Sequence, residues 1–338
     1  MNKKIINALK YTSLLGVGIL LLWLTFKGQD LQKVYNDIKE ANWWWVGLSM
    51  LCGFLAFLSR AIRWVMLLEP LGYKPRLLMT SYALMIGYFA NLAIPRIGEI
   101  TRCGILSKTE KIPMNSLIGT VIVERVIDLV LLILSILTVT LLEFDTLKKF
   151  LADYVIGPMA NDSSGGFNPL KLIALIGVVA VLVISYRLLK KSGKFESLFI
   201  KINDLFRGIG EGIKTVMNLK NTGAFIAHTL FIWVMYFVMT YVCFFALKST
   251  AHLGAKEGLF TLVAGGLGMT APVQGGIGAY HWIVSRGLTL FDIPLDDGVV
   301  FATLVHTSQT FLVVVLGLLS MVLLFIANRK KAKNEQAQ

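Results

Sequence analysis

Six charged side chains sit where a hydrophobic chain has least room for them. Glu124-Arg125-Val126-Ile127-Asp128 lies inside an apolar run over 117–142. Arg96, Glu99 and Arg102 lie in the broken stretch Asn91-Leu92-Ala93-Ile94-Pro95-Arg96-Ile97-Gly98-Glu99-Ile100-Thr101-Arg102. Glu124 and Asp128 are four residues apart and share one helix face, while Arg125 points about 100° away. An unpaired charge at the centre of a membrane helix costs roughly 2.5–3.5 kcal/mol, so these groups are expected to pair or to face a wet cavity. Two chemistries follow. The set can form a buried ion-pair network that docks the broken stretch onto the helix. An arginine released from its carboxylate can also take a lipid phosphate through a bidentate contact. The two are compatible. Metal and covalent chemistry find less support. His228, His252, His281 and His306 lack metal-ligand spacing, and Cys52, Cys103 and Cys243 read as small packing residues. No catalytic residue, cofactor or metal is therefore expected.

The elements that carry these residues belong in a bilayer. The chain has 338 residues, of which 56% are hydrophobic and 16% charged, and its mean hydropathy is +0.69; soluble domains carry about 25% charged residues. Several uncharged runs reach the roughly 20 residues that span a membrane. The net charge of +13 reads as lysine and arginine gathered on cytoplasmic loops, not as a nucleic-acid surface. Candidate spans are 9–26, 43–68, 77–94, 117–142, 169–189, 222–247, 258–291 and 297–327. The first is read as a retained helix, because its apolar run ends at Lys27-Gly28-Gln29 without a cleavage site.

Charge fixes the expected orientation. Lys3, Lys4 and Lys10 at one end, and Arg329, Lys330, Lys331 and Lys333 in the basic tail 328–338, place both termini in the cytoplasm of a multi-pass protein of the cell (inner) membrane. The basic connection between 187 and 220 belongs on the same side, and the mixed, Asn/Asp/Ser/Gly-rich loop 143–168 belongs outside. A full crossing by 77–94 conflicts with these anchors. A re-entrant hairpin over 77–107 that turns at Pro95 and Gly98 removes the conflict. A second, over 258–291, turns at Pro272, Gly275, Gly276 and Gly278. The expected fold is an all-α polytopic membrane protein with about six full spans and two re-entrant hairpins, built as one integral membrane domain from inverted repeats 9–142 and 169–327. Amphipathic stretches after the first helix of each half support the symmetry: Leu31, Val34, Tyr35 and Ile38 in one, and Phe195 to Ile213 in the other.

Other residues have assignable roles. Asn91 and Gln274 offer amides beside the two turns. The helix arms of the second hairpin are expected to aim backbone N–H groups at its turn, which favours an anion. Arg60 and Arg63 are expected to snorkel at the cytoplasmic end of 43–68, or to dock anionic headgroups there. Trp43, Trp44 and Trp45 read as an interfacial anchor. The glycine cluster lacks the strand–turn–helix context and the Lys-Ser/Thr ending of a nucleotide loop, so energy is expected from an ion or lipid gradient.

In their order along the chain, Arg60-x-x-Arg63-Trp64, Asn91-x-x-x-Pro95-Arg96-x-Gly98-Glu99-x-x-Arg102, Glu124-Arg125-x-x-Asp128 and Pro272-x-x-Gly275-Gly276-Ile277-Gly278 resemble the flippase-like membrane domain of lysylphosphatidylglycerol synthases. The resemblance covers about residues 10–327. It implies movement of a phospholipid or glycolipid between leaflets by a stand-alone member that lacks the aminoacyl-transfer domain and so makes no lysylphosphatidylglycerol. The leading expectation is a lipid translocase whose polar midplane cavity is lined by Arg96, Glu99, Arg102, Glu124, Arg125 and Asp128. Its expected partner is a membrane lipid with an anionic headgroup, and a homo-oligomer is compatible with the chain. The rival readings are a membrane-embedded glycosyl or acyl transferase using the carboxylates as acid and base, and a structural or regulatory membrane protein.

Overall fold

The computed structural model describes residues 16–145, 148 and 216–336, with side chains described to 329. The span 169–189, the amphipathic face 195–213, most of the loop 143–168 and the N-terminal lysines lie outside the described residues. Within them the helices are α1 (Gly16–Phe26), α2 (Leu31–Glu40), α3 (Trp43–Leu68), α4 (Leu77–Ala93), α5 (Gly98–Glu110), α6 (Met114–Leu142), α7 (Thr222–Val242), α8 (Ala255–Thr270), α9 (Ala279–Leu288) and α10 (Leu295–Gln336). Among the described residues, four helical stretches are long and apolar enough to cross a membrane: Trp43–Leu71, Met114–Leu142, Thr222–Ala246 and Leu295–Arg329. The tail expected to begin at 328 instead continues α10 as helix to Gln336.

The central helix is α3. Of its most apolar window 56% is buried, against 11% for α6. Ser49, Gly53, Ala56, Arg60 and Arg63 recur at intervals of four, three, four and three, and all five are buried. That spacing is a single helix face, and its small members let α7 approach closely. Ser49 Oγ donates to the Met239 carbonyl at 2.8 Å, Ser59 Oγ lies 2.8 Å from His228 Nδ1, and Arg60 Nη1 donates to Tyr236 Oη at 3.0 Å. On α3's other flank, Trp64 Nε1 donates to Thr120 Oγ1 of α6 at 3.0 Å.

The chain folds back on itself twice. α4 ends because Ile94 precedes a proline and is extended, with φ −134° and ψ 121°. Arg96 takes a left-handed φ of 63°, and α5 then returns along α4. The return is capped across seven residues: Asn91 Oδ1 accepts from Gly98 N at 2.7 Å, meeting one of the N–H groups that a helix start leaves free. Glycine is required at 98, where a Cβ would run into the Gly87 carbonyl oxygen and, at 2.7 Å, the Asn91 amide. Arg76 Nε pairs with Glu110 at 2.9 Å and closes the open end of the hairpin.

The second hairpin breaks at Ala271, extended before Pro272, and Gly275, Gly276 and Gly278 all take positive φ. Its arms pack through Gly265 and Gly268 of α8, against the ring and backbone of Tyr280 on α9. A Cβ at Gly278 would meet the backbone of α1 at Gly18, so α1 rests on this turn. The expectation that both arms aim N–H groups at the turn needs correction: α8 reaches it with its carbonyl end, and only α9 begins there. The tips touch each other, since a Cβ at Gly275 would stand 2.9 Å from Leu92 Cδ2.

The amphipathic helix α2 begins at Asp30, whose side chain accepts from Gln32 N and Lys33 N. Its apolar face divides: Val34 and Ile38 pack onto the core, while Leu31 and Tyr35 stay exposed. Lys33 Nζ reaches Asp297 at the start of α10 at 3.0 Å, a bond that raises the lysine above its ordinary value. Trp43 and Trp44 are exposed, and Trp45 packs on Phe245 with ring centroids 5.2 Å apart.

Candidate functional site

The charges separate into a buried network and a cavity wall. Glu124 is wholly buried, and three arginines converge on it: Arg60 at 2.5 Å, Arg102 at 3.1 Å and Arg63 at 3.7 Å. Asp128, one turn on, takes Arg60 at 2.6 Å and Arg63 at 2.8 Å. Arg102 also stacks over Trp64, 4.5 Å from the ring centroid. Three guanidinium groups thus share two carboxylates, which joins α3, α5 and α6. The expectation that Arg60 and Arg63 snorkel is overturned: they are 5% and 0% exposed, because their face of α3 turns into the bundle toward α6. The expectation that Arg102 and Glu124 line a cavity is overturned as well. Both lie behind the wall and hold hairpin to helix.

In front of that network is a cavity of about 750 Å³. Both hairpin tips line it: Leu92, Pro95 and Arg96 from the first, and Ala271, Val273, Gly275 and Gly276 from the second. Arg60, Arg96 and Arg125 face it with the single carboxylate Glu99, alongside His306. Phe57, Tyr88, Tyr236, Met239, Met269 and Val305 supply much of its apolar wall. Glu99 pairs with Arg125 at 2.8 Å. Arg96 is exposed and makes no ion pair among the described residues. Arg60 is met by Glu124 and Asp128 behind the wall and Arg125 by Glu99. Among the described residues the lining arginine left without an ion pair is therefore Arg96, which sits at the tip of a hairpin in a left-handed conformation and is free to meet an anion.

The remaining candidates divide. Asn91 lines the cavity but spends its side-chain oxygen on the cap at Gly98. Pro95, Gly275 and Gly276 shape the tips, while Gly98 and Gly278 serve close packing. Asp128 and Pro272 are not part of the wall, and neither is Gln274. Residue spacing missed His306, which lines the cavity and bonds the Gly275 carbonyl through Nε2 at 2.8 Å. No local spacing reveals it, because 31 positions separate the two residues.

Helical spans, inward-facing charge and two hairpins around one basic cavity define a multi-pass membrane protein. The chain belongs to the family described as the lysylphosphatidylglycerol synthase TM region, whose model matches residues 12–317. Among curated proteins it is similar to the UPF0104 membrane protein MJ1595 of Methanocaldococcus jannaschii, at 23% identity over 94% of this chain and 96% of that one. No solved structure matches it.

Proposed function

We propose that the protein is a lipid translocase that passes an anionic headgroup between leaflets through the cavity between its hairpin tips. The observation that carries this reading is Arg96: with Arg60 held by Glu124 and Asp128 and Arg125 by Glu99, it is the lining arginine without an ion pair among the described residues, in a wall made largely of apolar side chains. An exposed guanidinium beside an apolar wall is open to a phosphate diester through a charge-assisted, bidentate contact. The volume suits one headgroup, being within the roughly 300–1,000 Å³ typical of small-molecule sites, so the acyl chains remain in lipid. In this account the two hairpins are re-entrant from opposite sides, the halves are inverted repeats, and both termini are cytoplasmic in the cell membrane. The buried carboxylates hold the scaffold together and are not acid and base.

The protein purified from membranes is expected to retain anionic phospholipid in native mass spectrometry, and Arg96→Gln to lose most of it. Equal retention of zwitterionic and anionic lipid by the wild type would count against an arginine–phosphate contact.

A further inference from the structure

The second hairpin tip is held by two imidazoles. His306 of α10 bonds the Gly275 carbonyl through Nε2 at 2.8 Å. A carbonyl only accepts, so this nitrogen carries the hydrogen. His281, in the first turn of α9, faces the Gly278 N–H with Nδ1 at 3.4 Å. An amide only donates, so that nitrogen is bare. The two rings stand 4.8 Å apart and are 5% and 6% exposed. Around them are the Tyr280 ring, 5.1 Å from His306, with Cys243 beside Tyr280, and the apolar Phe26 of α1. On the cavity side stand Arg60, Arg96 and Arg125 with Glu99. Among the described residues no carboxylate bonds either ring, and no third His, Cys, Asp or Glu completes a metal site with them.

We propose that the His281–His306 pair is a proton-binding site through which a proton taken from the cavity releases the second tip, coupling lipid transfer to a proton gradient. A hydronium ion in the cavity, whose wall includes His306, gives its proton to a bare Nδ1 of the pair and leaves water. On His281 the new Nδ1–H opposes the Gly278 N–H, two donors face each other, and the cap is lost. On His306 the new cation joins a wall that already carries the unpaired Arg96. Either way the docked tip disfavours the protonated form and the withdrawn tip favours it, so acid favours release. Two imidazolium rings at this spacing repel, so the pair takes one proton. The proton partly balances an anionic headgroup elsewhere in the same movement. The coupling rests on the lipid-transfer reading; the proton site does not.

The sequence has only four histidines, so full-length protein in lipid nanodiscs with 15N-labelled imidazoles gives a readable spectrum, assigned with His281→Gln and His306→Gln. Because the docked tip disfavours the protonated form, the titration is followed from about pH 8 to about pH 4, from above an ordinary imidazole to well below it, and His281 and His306 are expected to change in one shared step. The Gly275 and Gly278 amide signals should move with them. In His281→Gln/His306→Gln, which keeps a donor for Gly275 and an acceptor for Gly278, that step should vanish from the tip amides. Rings that stay unchanged over the interval, or that titrate while the tip amides stay fixed, would overturn the site. In vesicles holding a fluorescent anionic phospholipid, a one-unit pH gradient should change the wild-type transfer rate by up to about tenfold, the limit for one coupled proton. The ratio of rates with and without the gradient should fall to about one in His281→Gln/His306→Gln. Transfer by the wild type that ignores the gradient would refute the coupling. A shared proton step in a protein that transfers no lipid at any pH would refute the transport reading and leave the proton site standing.

Discussion

Glu124→Gln is expected to destabilise the protein by about 3–5 kcal/mol, the usual consequence of removing one partner from a buried ion pair. Glu124 is wholly buried and receives Arg60, Arg102 and Arg63. Without its charge, Arg60 and Arg63 depend on Asp128 alone, and Arg102 is left without an ion pair among the described residues. The loss falls on the junction of α3, α5 and α6, so the first hairpin should come away from the bundle before the rest unfolds. Thermal unfolding in detergent, followed by the fraction still monodisperse after heating, gives the readout. Glu99→Gln is the matched control, because Glu99 and Arg125 are 28% and 43% exposed at the side chain, and such pairs contribute about 1 kcal/mol or less. A Glu124→Gln protein that melts with the wild type would show that the network is not what holds the hairpin.

Arg96→Gln is expected to slow leaflet transfer by about 10- to 100-fold while the protein melts like the wild type. A hydrogen bond to a charged group is worth roughly 1.5–3 kcal/mol, and each 1.4 kcal/mol is a factor of about ten. Arg96 forms no ion pair among the described residues and is exposed to the cavity, so its removal leaves no buried charge behind. Arg96→Lys should fall between the two, keeping the charge and losing the planar fork that grips phosphate. Transfer by dithionite-accessible fluorescent lipid in reconstituted vesicles measures all three. An Arg96→Gln rate equal to the wild type would remove Arg96 from the path of the headgroup.

Much of the scaffold was legible because helix length and breakers are local signals. The stretch 43–68 is α3, Pro95 ends the first arm through the residue before it, and Pro272 does the same in the second. That Glu124 and Asp128 need cations was also legible, since charge inside an apolar run has few alternatives. Which cations was not. The broken stretch nearby offered Arg96 and Arg102, and only Arg102 joins. The others come from α3, because α3 crosses α6 at Arg60 and Arg63, and a crossing is a tertiary fact. One signal was present: Arg60 and Arg63 continue the stripe of Ser49, Gly53 and Ala56, and small residues at that interval mark a helix interface more often than an exposed edge. The Asn91 cap at Gly98 and the imidazole pair behind the second tip were hidden for the same reason as the crossing, since their partners meet only after the hairpins close.

The account turns on the headgroup passing between the two tips, and a reversible lock tests that. A Cβ at Gly275 would stand 4.0 Å from Leu92 Cα, within the span of a short bifunctional thiol reagent with a reducible spacer. The left-handed φ of 55° at Gly275 costs a cysteine about 1–2 kcal/mol, and the three natural cysteines are buried. Leu92→Cys/Gly275→Cys, cross-linked in vesicles by that reagent, is expected to stop transfer of a fluorescent anionic phospholipid, and reductant is expected to restore it. A cross-linked protein that transfers lipid as fast as its reduced form would contradict passage between the tips.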